Sequence, residues 1–583
     1  MASLWVILTI ALPWLGGLVV WLLGEGRSKV QHFMAVGFSV ASAVAGLMLL
    51  TVITDEVIVS IPMGTLFGEF TFIPDMLGVF LAIVATAIGS LAVIFSVDYM
   101  RGEAGLGRYY SLVLLFIGAM VGLVLSGSLL ALFLFWEITA FCSYVLISFH
   151  NDDEKAVRGG IKALVITQLG GIGLLVGALA IESQIGTYQI SDFLSRFQEL
   201  PQNVLIFIAF TFLAAAVAKS AQVPLQTWLP DAMEAPTPVS ALIHAATMVN
   251  AGVYLLVRFY PAFEGVQGWK SAVLVVGLLS ALIGGLQACF ASDLKRALAY
   301  STVSQLGFMV FAIGLGAVFA SQFHLLNHSI FKALLFLCAG SIIHALGTRD
   351  MRAMGGLRTR MPFTFLTFLI GALALAGIPI ANGFFSKELI LEHAFHNGPA
   401  WAYLGILLAT GMTALYVVRM LRLVFFGQPG AYSIHVDSQR AMKVSLSVLA
   451  FGALTSWLLA GQFSSSLLAS LPYQTWVDLS TVEMLSELIA APGTWITLIV
   501  IAASAGVWLF WKTRDREGQR IQPVSDFILA GLGFEHLNHA IVRGVRALSN
   551  AATLTQTGQL QWNLVGLIAA LFLALSMAVW SMT

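Results

Sequence analysis

Eight ionisable side chains stand inside stretches that are otherwise apolar: Glu137, Lys219, His244, His324, His328, Lys332, Lys387 and Glu388. Each can gain and lose a proton, and several fall at spacings that bring them together. His324, His328 and Lys332 follow at i, i+4 and i+8, which puts one polar stripe on an apolar helix. Glu137 interrupts LALFLFWEITAFCSYVLI near mid-length. At the centre of a bilayer such a group costs roughly +2.5 to +3.5 kcal/mol for Lys or Asp. The ordinary alternatives are a structural ion pair or a lysine snorkelling to the interface. Lys219 and Lys387, near the ends of their apolar runs, would suit snorkelling best. Eight groups with a histidine–lysine stripe point instead to a proton relay or an ion pathway. A metal pair at His324 and His328 is disfavoured, because no Glu follows His324 and no third ligand is evident.

The elements that must hold these residues are membrane helices. Of 583 residues, 59% are hydrophobic and 10% charged, with a formal net charge of zero, against about 25% charged in a soluble domain. The balance of charge gives no basis for a nucleic-acid partner. Cys142, Cys289 and Cys338 lie in apolar runs and form no CxxC, which argues against an iron–sulfur, zinc or disulfide framework. With no P-loop or haem-attachment spacing either, no cofactor and no redox centre is expected on this chain. Fifty-four glycines and 16 prolines favour packed and broken helices over a barrel.

A spanning helix needs about 20 mostly apolar residues. Sixteen segments qualify, near 4–23, 31–53, 76–97, 109–126, 128–149, 160–182, 203–220, 238–258, 268–290, 301–319, 321–345, 362–396, 400–425, 441–462, 493–512 and 562–582. The first has no basic residue before it (Met1-Ala2-Ser3-Leu4-Trp5) and is read as a span rather than a cleaved signal. With both termini outside, 23 of the 29 Lys and Arg residues fall in cytoplasmic loops. Only Arg196, Arg258 and Lys270 fall outside, and Lys219, Lys332 and Lys387 stay in the membrane. Two spans are interrupted, at Pro224 after Lys219 and at Pro379 and Gly383 before Lys387. Broken helices in corresponding positions of opposed halves suggest inverted repeats. The predicted architecture is an all-α polytopic membrane protein of about 16 helices. Spans 1–3 occupy 1–108, the two five-helix repeats 109–258 and 268–425, and spans 14 and 15 residues 426–512. An amphipathic cytoplasmic-side connector (513–561) precedes the final span (562–583). In that connector Phe534, Leu537, Ile541, Val545 and Leu548 share one helical face, suited to the membrane surface or a partner. Residues 57–75 could form a short external hairpin, and the glycines of 170–177 read as a helix-packing motif.

Four stretches resemble the antiporter-like membrane subunits of respiratory complex I and the Mrp cation/proton antiporters. They are KSAQVPLQTWLPDAMEAPTPVSALIHAATMVNAGVYLLVR from Lys219, SDLKRALAYSTVSQLGFM (292–309), FHLLNHSIFKALLFLCAGSIIHALGTRDMRAMGGL (323–357) and LALAGIPIANGFFSKELIL (373–391). HAATMV at 244–249 is similar to the L-type component of complex I (NADH-quinone oxidoreductase) and to the A-type component of the Mrp antiporters. The resemblance implies that Glu137 pairs with Lys219, and that a polar axis runs through His244, Lys295, His324, His328 and Lys332 to Lys387 and Glu388. Two positions depart from the pattern: Gly171 stands where an aspartate is usual in the L-type chains, and Asn250 where the A-type Mrp chains usually carry lysine. Implied partners are other antiporter-like subunits, lipids, and protons with sodium as a second candidate ion. The setting implied is a bacterial inner membrane. Three assemblies fit: a complex I-type or related hydrogenase complex, an Mrp antiporter, or another transport system such as inorganic-carbon uptake.

Overall fold

In the computed structural model, residues 2–24, 26–64, 67–426, 437–471, 478, 480–510 and 525–553 are described. The chain divides into a unit reaching Leu532 and a second beginning at Gly533. The first unit is almost wholly helical. Its helices are α1 (Ala2–Leu22), α2 (Ser28–Met48), α3 (Met76–Tyr99), α4 (Leu106–Leu125), α5 (Leu129–Ile147), α6 (Glu154–Ile185) and α7 (Gln202–Lys219). They continue as α8 (Thr237–Arg258), α9 (Trp269–Phe290), α10 (Leu294–Leu315), α11 (Val318–Leu346), α12 (Pro362–Ala376), α13 (Asn382–Asn397), α14 (Ala400–Phe426), α15 (Arg440–Ser470), α16 (Thr481–Ala490) and α17 (Pro492–Phe510). Among the described residues thirteen helices are long and apolar enough to cross a membrane, or fourteen spans if the pair α16–α17, bent by 69°, counts as one. The protein is an integral, polytopic membrane protein. The predicted twelfth span is two helices, α12 and α13, and the sixteenth lies outside the described residues.

The connections gather at two ends. At one, Arg108 at the start of α4 donates to Phe149 O after α5 at 2.8 Å. Leu294 N meets Arg349 O at 2.9 Å, and Ala441 N meets the Asp98 carboxylate at 2.7 Å. At the other, the expected hairpin is present as β1 (Val59–Pro62) antiparallel to β2 (Glu69–Phe72), with Val59 opposite Phe72. Bridges tie Phe72 to Ser126 and Ser128 to Gln189. The loops after spans 2, 4 and 6 thus meet one another beside the hairpin.

Small residues set the packing. A Cβ at Gly170, Gly173 or Gly177 would run into Ala218, Thr211 or Phe212 of α7, so the glycine motif of 170–177 is a helix contact. Arg258, Lys162 and Lys295, counted above as loop charges, lie instead within helices and are buried. Each has a local partner: Arg258 forms a bidentate pair with Asp75 while stacking over Tyr254, Lys162 meets Asp231 at 2.8 Å, and Lys295 reaches Ala235 O at 2.6 Å. In the second unit, α18 (Phe534–Thr553) carries the expected amphipathic stripe as one helix.

Candidate functional site

Three interruptions open the helical lattice around the ionisable residues. Helix α7 stops at Lys219; Ala221 then takes φ 49°, and the Val223–Pro224 peptide is cis. The freed carbonyl of Ala218 accepts from Trp228 Nε1 at 3.0 Å, and Val223 N donates to Ser280 Oγ at 2.9 Å. Helix α12 ends at Ala376 on Gly377 (φ 77°), Pro379 bars its continuation, and α13 restarts at Asn382. A Cβ at Gly383 would collide with Ala374 O, so glycine is needed for α13 to pack back on α12. The third break was not foreseen. Leu242–Ala246 of α8 is π-helical, Thr247 departs from helical geometry (φ −132°, ψ −107°), and α8 resumes at Asn250. Thr247 Oγ1 bonds Leu242 O and Asn250 Nδ2 bonds Ala245 O, both at 2.8 Å. Side chains able to satisfy backbone carbonyls locally are what let a helix open without proline. The signal in the sequence was the polar run His244, Thr247, Asn250 within an apolar span.

Lys219, Lys332, Lys387, His244, His324, His328 and Glu388 all have zero exposure, and Lys295 has 3%. Snorkelling is therefore excluded for Lys219 and Lys387: the helix ends near them are internal breaks, not membrane surfaces. All four lysines rest on main-chain oxygens. Lys219 Nζ donates to Trp136 O (2.8 Å), Lys295 to Ala235 O (2.6 Å), Lys332 to Leu298 O (3.3 Å) and Lys387 to Leu375 O (2.7 Å). Lys332 also meets Ser301 Oγ. Lys219 is the last residue of α7, and Lys387 takes a carbonyl from the last turn of α12. The Lys387 ammonium thus sits at the carbonyl end of a broken helix, where the helix dipole favours a cation, whereas the Lys219 ammonium leaves the end of α7 for a carbonyl within α5.

The carboxylates stand apart from these lysines. The expected direct Glu137–Lys219 ion pair is not closed: the ammonium sits on the Trp136 carbonyl, 4.9 Å from that indole's centroid. Glu137 is only half-buried, and its Oε1 has no hydrogen-bond partner. That oxygen occupies the space a Cβ would need at Gly171, with Gln168 beside it. The missing aspartate and the open pair have one cause, because the glycine lets Glu137 lie against α6. Glu388 has both oxygens unpartnered, with Thr494 and Thr497 of α17 nearby.

Between these ends the α11 stripe forms as expected. The rings of His324 and His328 lie 6.3 Å apart, His324 Nδ1 reaches Ser386 Oγ beside Lys387 (2.9 Å), and Nε2 reaches Gln305 Oε1 (3.1 Å). His328 and His244 have both ring nitrogens unpartnered. His244 stacks against Phe336 at 5.0 Å. Between Lys219 and the stripe stand neutral groups: Ser220 Oγ on Val249 O (2.6 Å) and Asn250 Nδ2 on Ser329 Oγ (3.2 Å). Sequence reasoning also missed the ion network at the basic end, where Asp231 meets Lys162 and Arg296, and Arg349 meets Glu234 and Asp293. Among the described residues no cluster of three His, Cys, Asp or Glu side chains could hold a metal.

The fold defines a polytopic membrane protein with a line of buried ionisable side chains across its interior. Residues 126–413 match the family described as NADH:quinone oxidoreductase/Mrp antiporter, TM, and residues 61–110 match NADH-Ubiquinone oxidoreductase (complex I), chain 5 N-terminus. The chain belongs to the antiporter-like membrane subunits that these families comprise. It is 42% identical over 379 residues to NAD(P)H-quinone oxidoreductase chain 5 of Synechocystis sp., covering 62% of this chain and 56% of that one. It is 39% identical over 417 residues to the A1 component of the Na(+)/H(+) antiporter of Staphylococcus aureus, covering 67% and 52%. The chain therefore spans little more than half the length of these curated relatives. The structure of the Mrp complex from Dietzia sp. DQ12-45-1b contains a chain similar over 99% of this one and 63% of its own length, with TM-score 0.81 and 28% identity.

Proposed function

We propose that this chain is a proton-translocating subunit of a complex I-type assembly, carrying protons through a mid-membrane relay. The relay runs from Glu137 and Lys219 through His244, Lys295, His328, His324 and Lys332 to Lys387 and Glu388. The observation that carries the reading is the concentration of unpartnered polar atoms along this line. Both nitrogens of His244 and of His328, Glu137 Oε1, Asn250 Oδ1, Gln305 Nε2 and both oxygens of Glu388 are buried without a bond. Each costs about 1–3 kcal/mol if it stays so, a burden that a structural core would shed and a hydrated proton path would use.

Lysines held by carbonyls support the same reading. A carbonyl accepts from a neutral amine as well as from an ammonium, so Lys219, Lys332 and Lys387 can change charge without losing their anchor. Movement of Glu137 toward Lys219 would favour the ammonium, and its return to the surface of α6 would release the proton toward the stripe. The basic end faces the cytoplasm in this proposal, and the membrane is the bacterial inner one. Other antiporter-like subunits and lipids surround the chain.

An Mrp-type sodium/proton antiporter is the second reading, favoured by the likeness to the Mrp complex over almost the whole chain. Service as the ion-conducting partner of another transport complex is the third. Purification of the native complex separates them. Flavin and iron–sulfur subunits alongside the chain support the first, small Mrp-type membrane subunits the second, and neither set the third.

A further inference from the structure

Beyond Glu388 the ionisable residues continue toward the surface. On α13, Glu388, Glu392 and His396 follow at i, i+4 and i+8, a rise of about 12 Å. That distance is most of the way from mid-bilayer to the edge of a hydrocarbon core about 30 Å thick. Exposure rises in step: Glu388 has none, the Glu392 side chain 18% and the His396 side chain 60%. Glu392 Oε1 meets His396 Nε2 at 2.7 Å, while its Oε2 is buried with no partner. The Oε2 atom lies where a Cβ would stand on Gly493, just past the bend that separates α16 from α17. Tyr403 of α14 is buried with its hydroxyl unpartnered, in the field of both Glu388 and Glu392. A cavity of about 370 Å³ opens at this point, lined by Glu392, His396, Glu487, Met484, Leu488 and Pro492.

We propose that Glu392 and His396 form the proton outlet of the relay, discharging from Glu388 into the cavity under the α16–α17 bend. The inference rests on the proposed transport function and adds its exit. A proton leaves the Lys387 ammonium as an N–H bond breaks and an O–H bond forms on Glu388. It then passes to the Glu392 carboxylate and on to an imidazole nitrogen of His396, which releases it to water. Each carboxylate returns to its starting charge, and the next proton from the α11 stripe restores Lys387. His393 and Lys270 bear on the same helix end, His393 in the field of both Lys270 and His396.

The test uses the full chain in its native complex, in sealed vesicles, with proton transport read by a pH-sensitive dye. Glu392→Gln is expected to lower the rate at least tenfold with the complex still assembled, and Glu392→Asp to restore it to within threefold of the parent. Asp192→Asn, in a separate cavity at the same end, should leave the rate unchanged. His396→Cys should react with a membrane-impermeant maleimide applied from the face opposite the basic loops, above the background of the three native cysteines. A parental rate in Glu392→Gln beside a dead Lys219→Ala would overturn the outlet and leave the transport function standing. Labelling of His396→Cys from the basic face alone would overturn it as well. A parental rate in Lys219→Ala would remove the transport reading itself, and the outlet with it.

Discussion

The two broken spans solve one problem in different surroundings. Each ends a helix inside the protein and has a lysine held by a main-chain carbonyl of another helix, Lys219 at the end of α7 on Trp136 O of α5 and Lys387 of α13 on Leu375 O at the end of α12. Each also holds one non-glycine residue at positive φ, Ala221 and Ile380. The chain leaving the first break is clamped by charge, with Asp231 and Glu234 tied to Lys162, Arg296 and Arg349. The second is held by neutral groups: Asn382 Nδ2 bonds Ser456 Oγ at 2.9 Å, and Ser456 bonds Asn327 Oδ1 at 2.8 Å. Their carboxylates differ as well. Glu137 comes from a neighbouring helix and is half-exposed, whereas Glu388 adjoins its lysine in sequence and is wholly enclosed. The carboxylate of the first break thus depends on the packing of α5 against α6, and that of the second lies on the same helix as its lysine.

Removing the lysines tests that pairing most severely. Lys219→Ala and Lys387→Ala should each reduce proton transport at least tenfold, because either break then lacks its carrier. Loss in one variant alone would dissolve the equivalence of the two breaks. The next largest effect falls on stability. Arg258→Ala leaves Asp75 buried without its cation and should cost about 3–5 kcal/mol, read as a lowered midpoint of thermal unfolding in detergent. Substitution of Asn382 by Ala at the neutral break should cost about 1–3 kcal/mol, so equal losses would contradict the contrast between a charged and a neutral frame.

Gly171→Ala probes the carboxylate of the first break alone. Its methyl group would evict Glu137 Oε1 from the surface of α6, and transport should change several-fold with assembly intact. An unchanged rate would mean that the resting place of Glu137 is immaterial. The smallest effect belongs to the loop after α11, where Arg352 bonds Asp350 at 2.7 Å and holds its carboxyl below the usual carboxylate range. A lowered carboxyl contributes stability at neutral pH that fades as pH falls through its folded-state value. Arg352→Ala should therefore cost under about 1 kcal/mol at neutral pH and less in acid. A loss like that of Arg258→Ala would erase the distinction between buried and surface charge.

The sequence made the helices and their breaks legible because both rest on local rules: runs of apolar residues, proline positions, and lysines where no lipid-facing residue should be. The α11 stripe followed from helical spacing alone. The α8 break stayed hidden because no proline marks it; it depends on side chains of Thr247 and Asn250 reaching carbonyls within the same helix. The clamp of Asp231 and Glu234 was invisible for another reason. It joins α6, α10 and the loop after α11, and such pairs are set by packing between distant segments. The open Glu137–Lys219 pair depends on Gly171, which as a residue type says only that there is room. Lys162, Lys295 and Arg258 looked like loop charges because helix ends shift by several residues once partners bury them.

We infer that Glu137 and Lys219 are working members of the transport path. Their role is tested most directly by proton transport in sealed vesicles carrying the native complex with Glu137→Gln or Lys219→Ala, with assembly confirmed by co-purification. A fall of at least tenfold is expected in both variants with assembly intact. Transport at the parental rate in fully assembled complexes would contradict that role.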